Sequence, residues 1–319
     1  MFLGIEIGGT KLQLGLGHGD GHILALWRGT VNPAAGGEGI REQIVRAVPE
    51  LLAKANTDRT HLKGAGIGFG GPTDDRSNTV IKSHQIEGWD GFPLADWVSD
   101  LVGVPAVLCN DADVAGLAEA LFGAGKGLSP IFYITVGTGV GGGLIIDGQI
   151  YRGVGRGAAE IGHLRVPYFT SERGDHILTV EDLASGAGIE AQAAISERFG
   201  QDYSEGMRKH CPGGPISAKA IAAAAIEGEE SALHILDEAR AALAEGICHV
   251  IALLCPQRIV IGGGVSLIGE DLFFTPLREL VADTVFPPFA GLTDIVPAVL
   301  GEEVVVHGAL ALARQKFVG

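Results

Sequence analysis

Short stretches scattered along the chain carry the residues able to do chemistry. At 107–113, Val-Leu-Cys-Asn-Asp-Ala-Asp, an apolar run ends in three polar side chains. Open α/β sheets place their ligands at such strand ends. Asp111 is there a candidate general base, accepting a proton from a hydroxyl as that oxygen attacks phosphorus. The other use of the same turn is a helix cap, supplied by Asp111 or, better, by Asp113. In Glu160-Ile161-Gly162-His163 a carboxylate and an imidazole stand three residues apart, on one side of a helical turn or tight loop. Adjacent hydroxyls of a sugar ring could donate to Glu160 and accept from His163; an ordinary surface pair is the plainer reading. Glu181, in Thr-Val-Glu-Asp-Leu-Ala-Ser-Gly, is open between a ligand role and a first-turn acid favoured by the helix dipole.

Glycine turns supply the complementary chemistry. Residues 3–17 read LGIEIGGTKLQLGLG, and paired glycines interrupt what is otherwise a strand-like run, where they cost backbone entropy and pack nothing. Gly8 and Gly9 let a hairpin turn aim successive N–H groups at one anion, with the Thr10 hydroxyl and the Lys11 charge beside them. An ordinary hairpin turn is the alternative. The stretch 135–143, Thr-Val-Gly-Thr-Gly-Val-Gly-Gly-Gly, holds five glycines in nine residues, a cost that makes sense where backbone comes close to a ligand. No Gly-Lys-Ser/Thr follows, so this is not a Walker loop. A third cluster, IVIGGGVS at 259–266, reads as a strand entering a loop and helix start, which suits a nucleoside or phosphate.

These residues must be positioned by an α/β framework. Apolar runs rich in Val and Ile recur at 3–7, 64–69, 106–108, 131–136, 143–146 and 258–261. Helical patterns lie at 38–55, 94–102, 113–123, 186–199, 217–227, 231–254 and 304–317. The stretches 3–17 and 131–146 are alike, each an apolar strand, a Gly/Thr turn and a second strand. Two such hairpins could hold a polyphosphate. The segment 203–215 reads as a loop.

Composition excludes several classes. With 23 Lys and Arg against 38 Asp and Glu, the net charge of −15 repels a phosphate backbone, so no nucleic-acid partner is expected. No apolar run is long enough to span a bilayer without charges or glycines. Nothing reads as a signal peptide, because Glu6 interrupts the first apolar run and no basic region precedes it. Cys109, Cys211, Cys248 and Cys255 make no CxxC pair, in keeping with a reducing cytoplasm, and without a spanning run no membrane partner is expected.

Taken in order, IEIGGTK, GIGFGGP, CNDAD, TVGTGVGGGLIIDG, EIGH, EDLASG and IVIGGGVS resemble the ROK family of sugar kinases and related repressors. The resemblance runs from Leu3 to the last helix and implies an α/β, actin-like ATPase fold (hexokinase-type, ribonuclease H-like) with two lobes around a central cleft. We place a small lobe at 1–111 plus 304–319 and a larger one at 112–303. The implied reaction is phosphoryl transfer from MgATP to a sugar hydroxyl. Lobe closure would exclude water and limit ATP hydrolysis when no sugar is bound. Carried onto this chain, Gly8, Gly9, Thr10, Lys11, Thr138 and Gly139 would lie around the phosphates, with Gly263 and Gly264 beside the adenosine. Gly71, Asn110, Asp111, Glu160, His163 and Glu181 would bind the sugar, and Asp111 would be the base. Mg2+ would bridge the phosphates and be reached through water by Glu6 or Asp111. A homodimer or homotetramer is likewise implied.

The chain departs from that family pattern in four places. Glu6 stands where members commonly carry Asp, a longer carboxylate of the same charge. The CxCGxxGC zinc motif that many members place after the EIGH histidine is missing, since 164–180 reads LRVPYFTSERGDHILTV. We therefore expect no structural zinc, with Tyr168, Phe169, Ile177 and Leu178 packing in its place, and we do not read His176 as a survivor of the site. Gln85 falls where asparagine is frequent, and Gly70 where proline is. Both departures bear on the sugar, leaving glucose at its 6-hydroxyl as first choice beside fructose, N-acetylmannosamine and N-acetylglucosamine. A repressor is disfavoured, because the first motif begins at Leu3, ahead of which no helix-turn-helix domain fits, and because the chain is acidic. A sugar-binding protein without catalysis is disfavoured by the retention of Asp111.

Overall fold

The computed structural model of the chain describes residues 1–318 except Asp75, His84, 171–173 and 200–203, together with the side chains of all but 168–170, 174–176 and 196–199. Strands in chain order are β1 (Phe2–Ile7), β2 (Lys11–Gly17), β3 (Ile23–Thr30), β4 (Gly64–Phe69), β5 (Thr73–Asp74), β6 (Thr79–Val80), β7 (Ala106–Asn110), β8 (Ile131–Val136), β9 (Val140–Ile146), β10 (Gln149–Ile150), β11 (Arg165–Thr170), β12 (Gly174–Thr179), β13 (Arg258–Gly262) and β14 (Asp294–Pro297). Helices are α1 (Gly36–Lys54), α2 (Leu94–Val102), α3 (Asp111–Phe122), α4 (Val180–Ala184), α5 (Gly186–Phe199), α6 (Glu205–Arg208), α7 (Ala218–Ile226), α8 (Glu230–Leu254), α9 (Thr275–Thr284) and α10 (Val304–Phe317). The chain divides into two compact units, one of Met1–Tyr133, Gly143–Ala159 and Ala298–Gly319, the other of Ile134–Gly142 and Glu160–Pro297.

The first unit is built on a sheet of order β3-β2-β1-β4-β7. Strands β1 and β2 form an antiparallel hairpin, while β1, β4 and β7 run parallel. Every residue of β1 and β4 is buried, as strands covered on both faces must be, which is why they read as unbroken apolar runs. Ile5, Leu14 and Ile67 meet across β1, β2 and β4 and are fully buried. Helix α10 approaches this sheet through glycines. A methyl group at Gly66 would fall on the carbonyl of Ala309, and one at Gly15 on Val306. Many of the chain's glycines thus serve helix-to-sheet contact rather than ligand contact. Gly308 does the same where α10 crosses α3 at Val114, so the compact unit keeps α3 with the first sheet, beyond the lobe boundary expected at 111/112.

The second sheet has the order β10-β9-β8-β13-β14, and the division between units passes through β8 and β9. In the second unit the long helix α8 buries Ile235, Leu243, Ile247 and Ile251. Gly246 brings α8 within 3.0 Å of the Val180 side chain and 3.3 Å of Ile161, as measured from where a Cβ would stand. That contact seats both the Glu160–His163 turn and α4.

Most expected elements are present, with the strand at 106–108 extended to Asn110 and the strand at 143–146 starting at Val140. Three were missed. Edge strand β3 mixes Trp27 and Arg28 into a half-exposed pattern, β14 is four residues long, and the antiparallel hairpin β11/β12 stands in the interval where the zinc motif would fall. The segment 203–215, read as loop, contains α6. The packing expected of Tyr168 and Phe169 and the reading of His176 concern side chains outside the described residues, as do His84 and Tyr203. Of the other two side chains expected to pack there, Ile177 is 69% exposed, so it fills no core. No helix of the described residues is long and apolar enough to cross a membrane.

Candidate active site

In the first unit the ends of β1, β4 and β7 converge. The Gly8 amide donates to the Lys11 carbonyl at 3.0 Å, closing the hairpin turn, and the Gln85 amide occupies the space that a Cβ on Gly9 would take, so a side chain there would have to displace it. The Gly70 amide donates to the Ile7 carbonyl at 2.8 Å, a bond that a proline at this position would delete. The next residue, Gly71, offers its carbonyl to Asn110 Nδ2 at 3.1 Å. Asp111 Oδ2 lies 3.3 Å from where a Cβ would stand on Gly70, and Gly8 Cα lies 3.6 Å from that same point. Gly8, Gly70, Gly71, Asn110 and Asp111 are therefore brought together.

Asn110, not Asp111 or Asp113, caps α3: its Oδ1 accepts from the amides of Ala112 and Asp113. The cap falls one residue before Asp111 and three before Asp113, the better candidate, because β7 runs directly into the helix, leaving Asn110 as the last extended residue. Asp111 is thereby released from the capping role, although its Oδ1 also accepts from the Ala112 amide at 2.8 Å. Burial, followed by the nearby charge of Glu6, pushes the Asp111 carboxyl up to about 7 from its ordinary 3.8, against the pull of the Ala112 amide. A carboxyl so poised exchanges a proton near neutrality, as a general base must.

Glu6 is buried and raised by desolvation, with Lys11 and Gln13 working in the opposite direction. Its Oε1 is 3.0 Å from Lys11 Nζ, and its Oε2 accepts from Gln13 Nε2 at 2.8 Å. Both partners also donate to the Glu302 carbonyl. Lys11 is thus held by Glu6, on the flank of the turn. Gln13 was missed in the sequence; the signal was a lone amide in an apolar strand, directly opposite Glu6 in the hairpin register.

The second unit brings together a different set. The Gly137 amide bonds the Gly139 carbonyl at 2.9 Å, and the Gly137 carbonyl accepts from the first amide of α5, Gly186, at 2.7 Å. Glu181, in the first turn of α4, accepts the Val140 amide on Oε2 at 2.8 Å. A side chain at position 139 would stand 2.5 Å from that same oxygen, so Gly139 must be glycine for Glu181 to close on the turn. Thr138, Gly139 and Glu181 hence form one assembly. Glu160 and His163 are exposed at the two ends of a 3₁₀ turn, joined by the His163 amide to the Glu160 carbonyl at 3.1 Å and anchored by buried Ile161.

Gly263 packs against the backbone of Val136, 2.5 Å from its carbonyl oxygen by the same Cβ measure, and has φ +91°. Only glycine fits both conditions. It follows that the third glycine cluster lies beside the second. Gly264 has nothing within 4 Å of its Cβ position, and the chain continues into a short 3₁₀ turn (Val265–Ile268) rather than the helix start expected there. Among the described residues no group of three or more His, Cys, Asp or Glu side chains could hold a metal ion.

The profile of the ROK family matches residues 2–316. The glucokinase of Thermotoga maritima is 32% identical over 325 residues, covering 99% of this chain and 98% of that protein. A crystal structure of a ROK family glucokinase from Streptomyces griseus in complex with glucose and AMPPNP is 32% identical, with a TM-score of 0.80 over 98% of this chain and 99% of its own. The ROK hexokinase of Thermus thermophilus has a TM-score of 0.81 at 25% identity, covering 99% of this chain and 98% of its own. The fold is accordingly the α/β, actin-like ATPase fold of these structures. With profile and relatives agreeing along nearly its full length, the chain belongs to the ROK family.

Proposed function

We propose that the chain is an ATP-dependent hexose kinase that transfers the γ-phosphoryl group of MgATP to a sugar hydroxyl, the 6-hydroxyl of glucose being the first candidate. The observation that carries the reading is Asp111, a carboxyl held up to about 7 at the strand end beside the Gly8-Gly9 turn. The glucokinase relatives and the glucose- and AMPPNP-bound neighbour support the same reading. In the proposed step Asp111 takes the proton of the sugar hydroxyl while that oxygen bonds to the γ-phosphorus. The bond from phosphorus to the β-phosphate oxygen breaks, and ADP leaves with that electron pair.

Thr138 and Gly139, with Gly8, Gly9, Thr10 and Lys11, would donate to the phosphates, and Gly263 and Gly264 would leave room for the adenosine. Gly71, Asn110, Glu160, His163 and Glu181 would hold the sugar hydroxyls that do not react, setting the remaining one against Asp111. Glu6 and Asp111 suit a nearby Mg2+, since each is a carboxylate destabilised by burial and, for Asp111, by the other's charge. When bound, the ion supplies Lewis-acid stabilisation of charge on the phosphates. The reading includes a cytoplasmic homodimer or homotetramer and excludes a nucleic-acid partner, which the charge of −15 supports. ADP formation from MgATP, measured with glucose, fructose, mannose, N-acetylglucosamine and N-acetylmannosamine, tests it. Turnover with one of these sugars is expected, and none with any of them would overturn the kinase reading for this sugar class.

A further inference from the structure

The residues proposed to handle the sugar in the first unit lie on two backbone segments, 70–73 and 110–113, that belong to different elements. Asn110 ties them once, through Nδ2 to the Gly71 carbonyl. A second tie comes from a residue outside both. Arg152, just past β10, bonds Asp113 Oδ2 through Nη1, while its Nη2 donates to the Thr73 carbonyl at 3.2 Å and to Thr73 Oγ1 at 3.1 Å. Asp113 and Thr73 are buried, 2% and 0% exposed, and the Arg152 side chain is 11% exposed. Cys109 lies behind them, its thiol directed at the same Asp113 oxygen at 3.8 Å.

We propose that Arg152 is a positioning residue, which through its planar fork to Asp113 and Thr73 holds the turn bearing Asn110 and Asp111 in register with the segment bearing Gly70 and Gly71. The inference rests on the reading of Asp111 as the base. A buried ion pair is weak evidence for stability, because desolvation cancels much of its attraction, so its use is better sought in geometry. Guanidinium suits that use: one nitrogen faces a carboxylate while its neighbour, at a fixed spacing, faces a carbonyl and a hydroxyl. An ammonium is a single point charge and cannot span both partners with a fixed separation. The chain also spends a second acidic residue here, two positions from the base, and Arg152 neutralises it.

Two variants separate positioning from charge compensation. Arg152→Lys keeps the charge beside Asp113 and loses the fork; the double variant Arg152→Met with Asp113→Asn removes both charges and leaves no buried ion unpaired. Each is purified as the full chain, its unfolding midpoint recorded, and kcat and both KM values measured beside wild type and Asp111→Ala. The expected result is a kcat reduced roughly ten- to hundredfold in both variants, the scale of a misplacement near 1 Å, with KM for ATP changed less than about twofold. Wild-type kcat in either variant would overturn the proposal, as would a loss that follows the unfolding midpoint alone.

Amide hydrogen exchange of the protein without ligands gives an answer that does not depend on the substrate. In Arg152→Lys, exchange at 70–74 and 110–114 should rise roughly tenfold or more while β1 stays protected. Unchanged exchange in those two segments would overturn the proposal even in an active enzyme. If exchange rises as expected but wild type shows no Asp111-dependent turnover, the positioning inference stands and the kinase reading falls.

Discussion

Protonation of Asp111 is the sharpest consequence of the first unit's geometry. A free aspartate has a value of 3.8, whereas here burial and then the charge of Glu6 lift it to about 7. If Asp111 must be ionised to accept the hydroxyl proton, only about one molecule in ten is competent near pH 6, so kcat/KM falls roughly tenfold from its alkaline plateau. Replacing Glu6 by Gln removes a like charge, which moves the acid limb toward lower pH. Stability gives an independent sign. The folded state binds a proton on Asp111 that the unfolded state has released between about 3.8 and about 7, so this group's contribution declines as pH rises through that window. Across it the decline amounts to roughly 4 kcal/mol, which Asp111→Asn abolishes. The assays are the pH profile of kcat/KM, ¹³C NMR of the aspartate carboxyls without nucleotide, and urea midpoints across the same range. An Asp111 carboxyl titrating near 4, with no acid limb above about pH 5, would refute the reasoning.

Other consequences concern packing and metal content. Gly66→Ala drives a methyl group into the backbone carbonyl of Ala309, which no rotamer can relieve; a loss of roughly 2–4 kcal/mol is expected in urea unfolding, and a wild-type midpoint would contradict the account of α10. Glu119 is fully buried and accepts the amides of Val299 and Leu300 on Oε1, at 2.9 Å each, and that of Ala124 on Oε2 at 2.7 Å. Glu119→Gln turns an amino group toward donors and should destabilise by about 2 kcal/mol in the same measurement, an unchanged midpoint counting against this role. Metal analysis of the purified protein should find less than stoichiometric zinc, and an equimolar content would overturn the reading of 164–180.

Local signals in the sequence were the reliable ones. The two strand-turn-strand units and the strand ending at Asn110-Asp111 are legible because apolar runs and glycine pairs announce themselves within a few residues. Helices 94–102, 186–199 and 304–317 have the expected bounds for the same reason. What was not legible depends on partners distant in the chain. Gly66 looks like ligand-approach glycine until α10 arrives from position 309 to occupy the space. The Arg152 pair with Asp113 joins residues 39 apart in sequence, and nothing near either one announces the other. The α3 cap falls at Asn110, three residues before the favoured Asp113, because the strand delivers Asn110 in extended conformation (φ −64°, ψ 147°), which a list of good capping residues does not decide.

The most direct measurement is sugar-dependent ADP formation by Asp111→Ala beside wild type, with sugar binding followed separately by the fluorescence of the buried Trp89, which lies with Gly9 and Gln85 around one small cavity. The account expects wild type to turn over one sugar and the variant to bind that sugar while forming ADP at least about a hundredfold more slowly. Equal turnover by the two proteins, or sugar binding by wild type with no ADP formed, would contradict it.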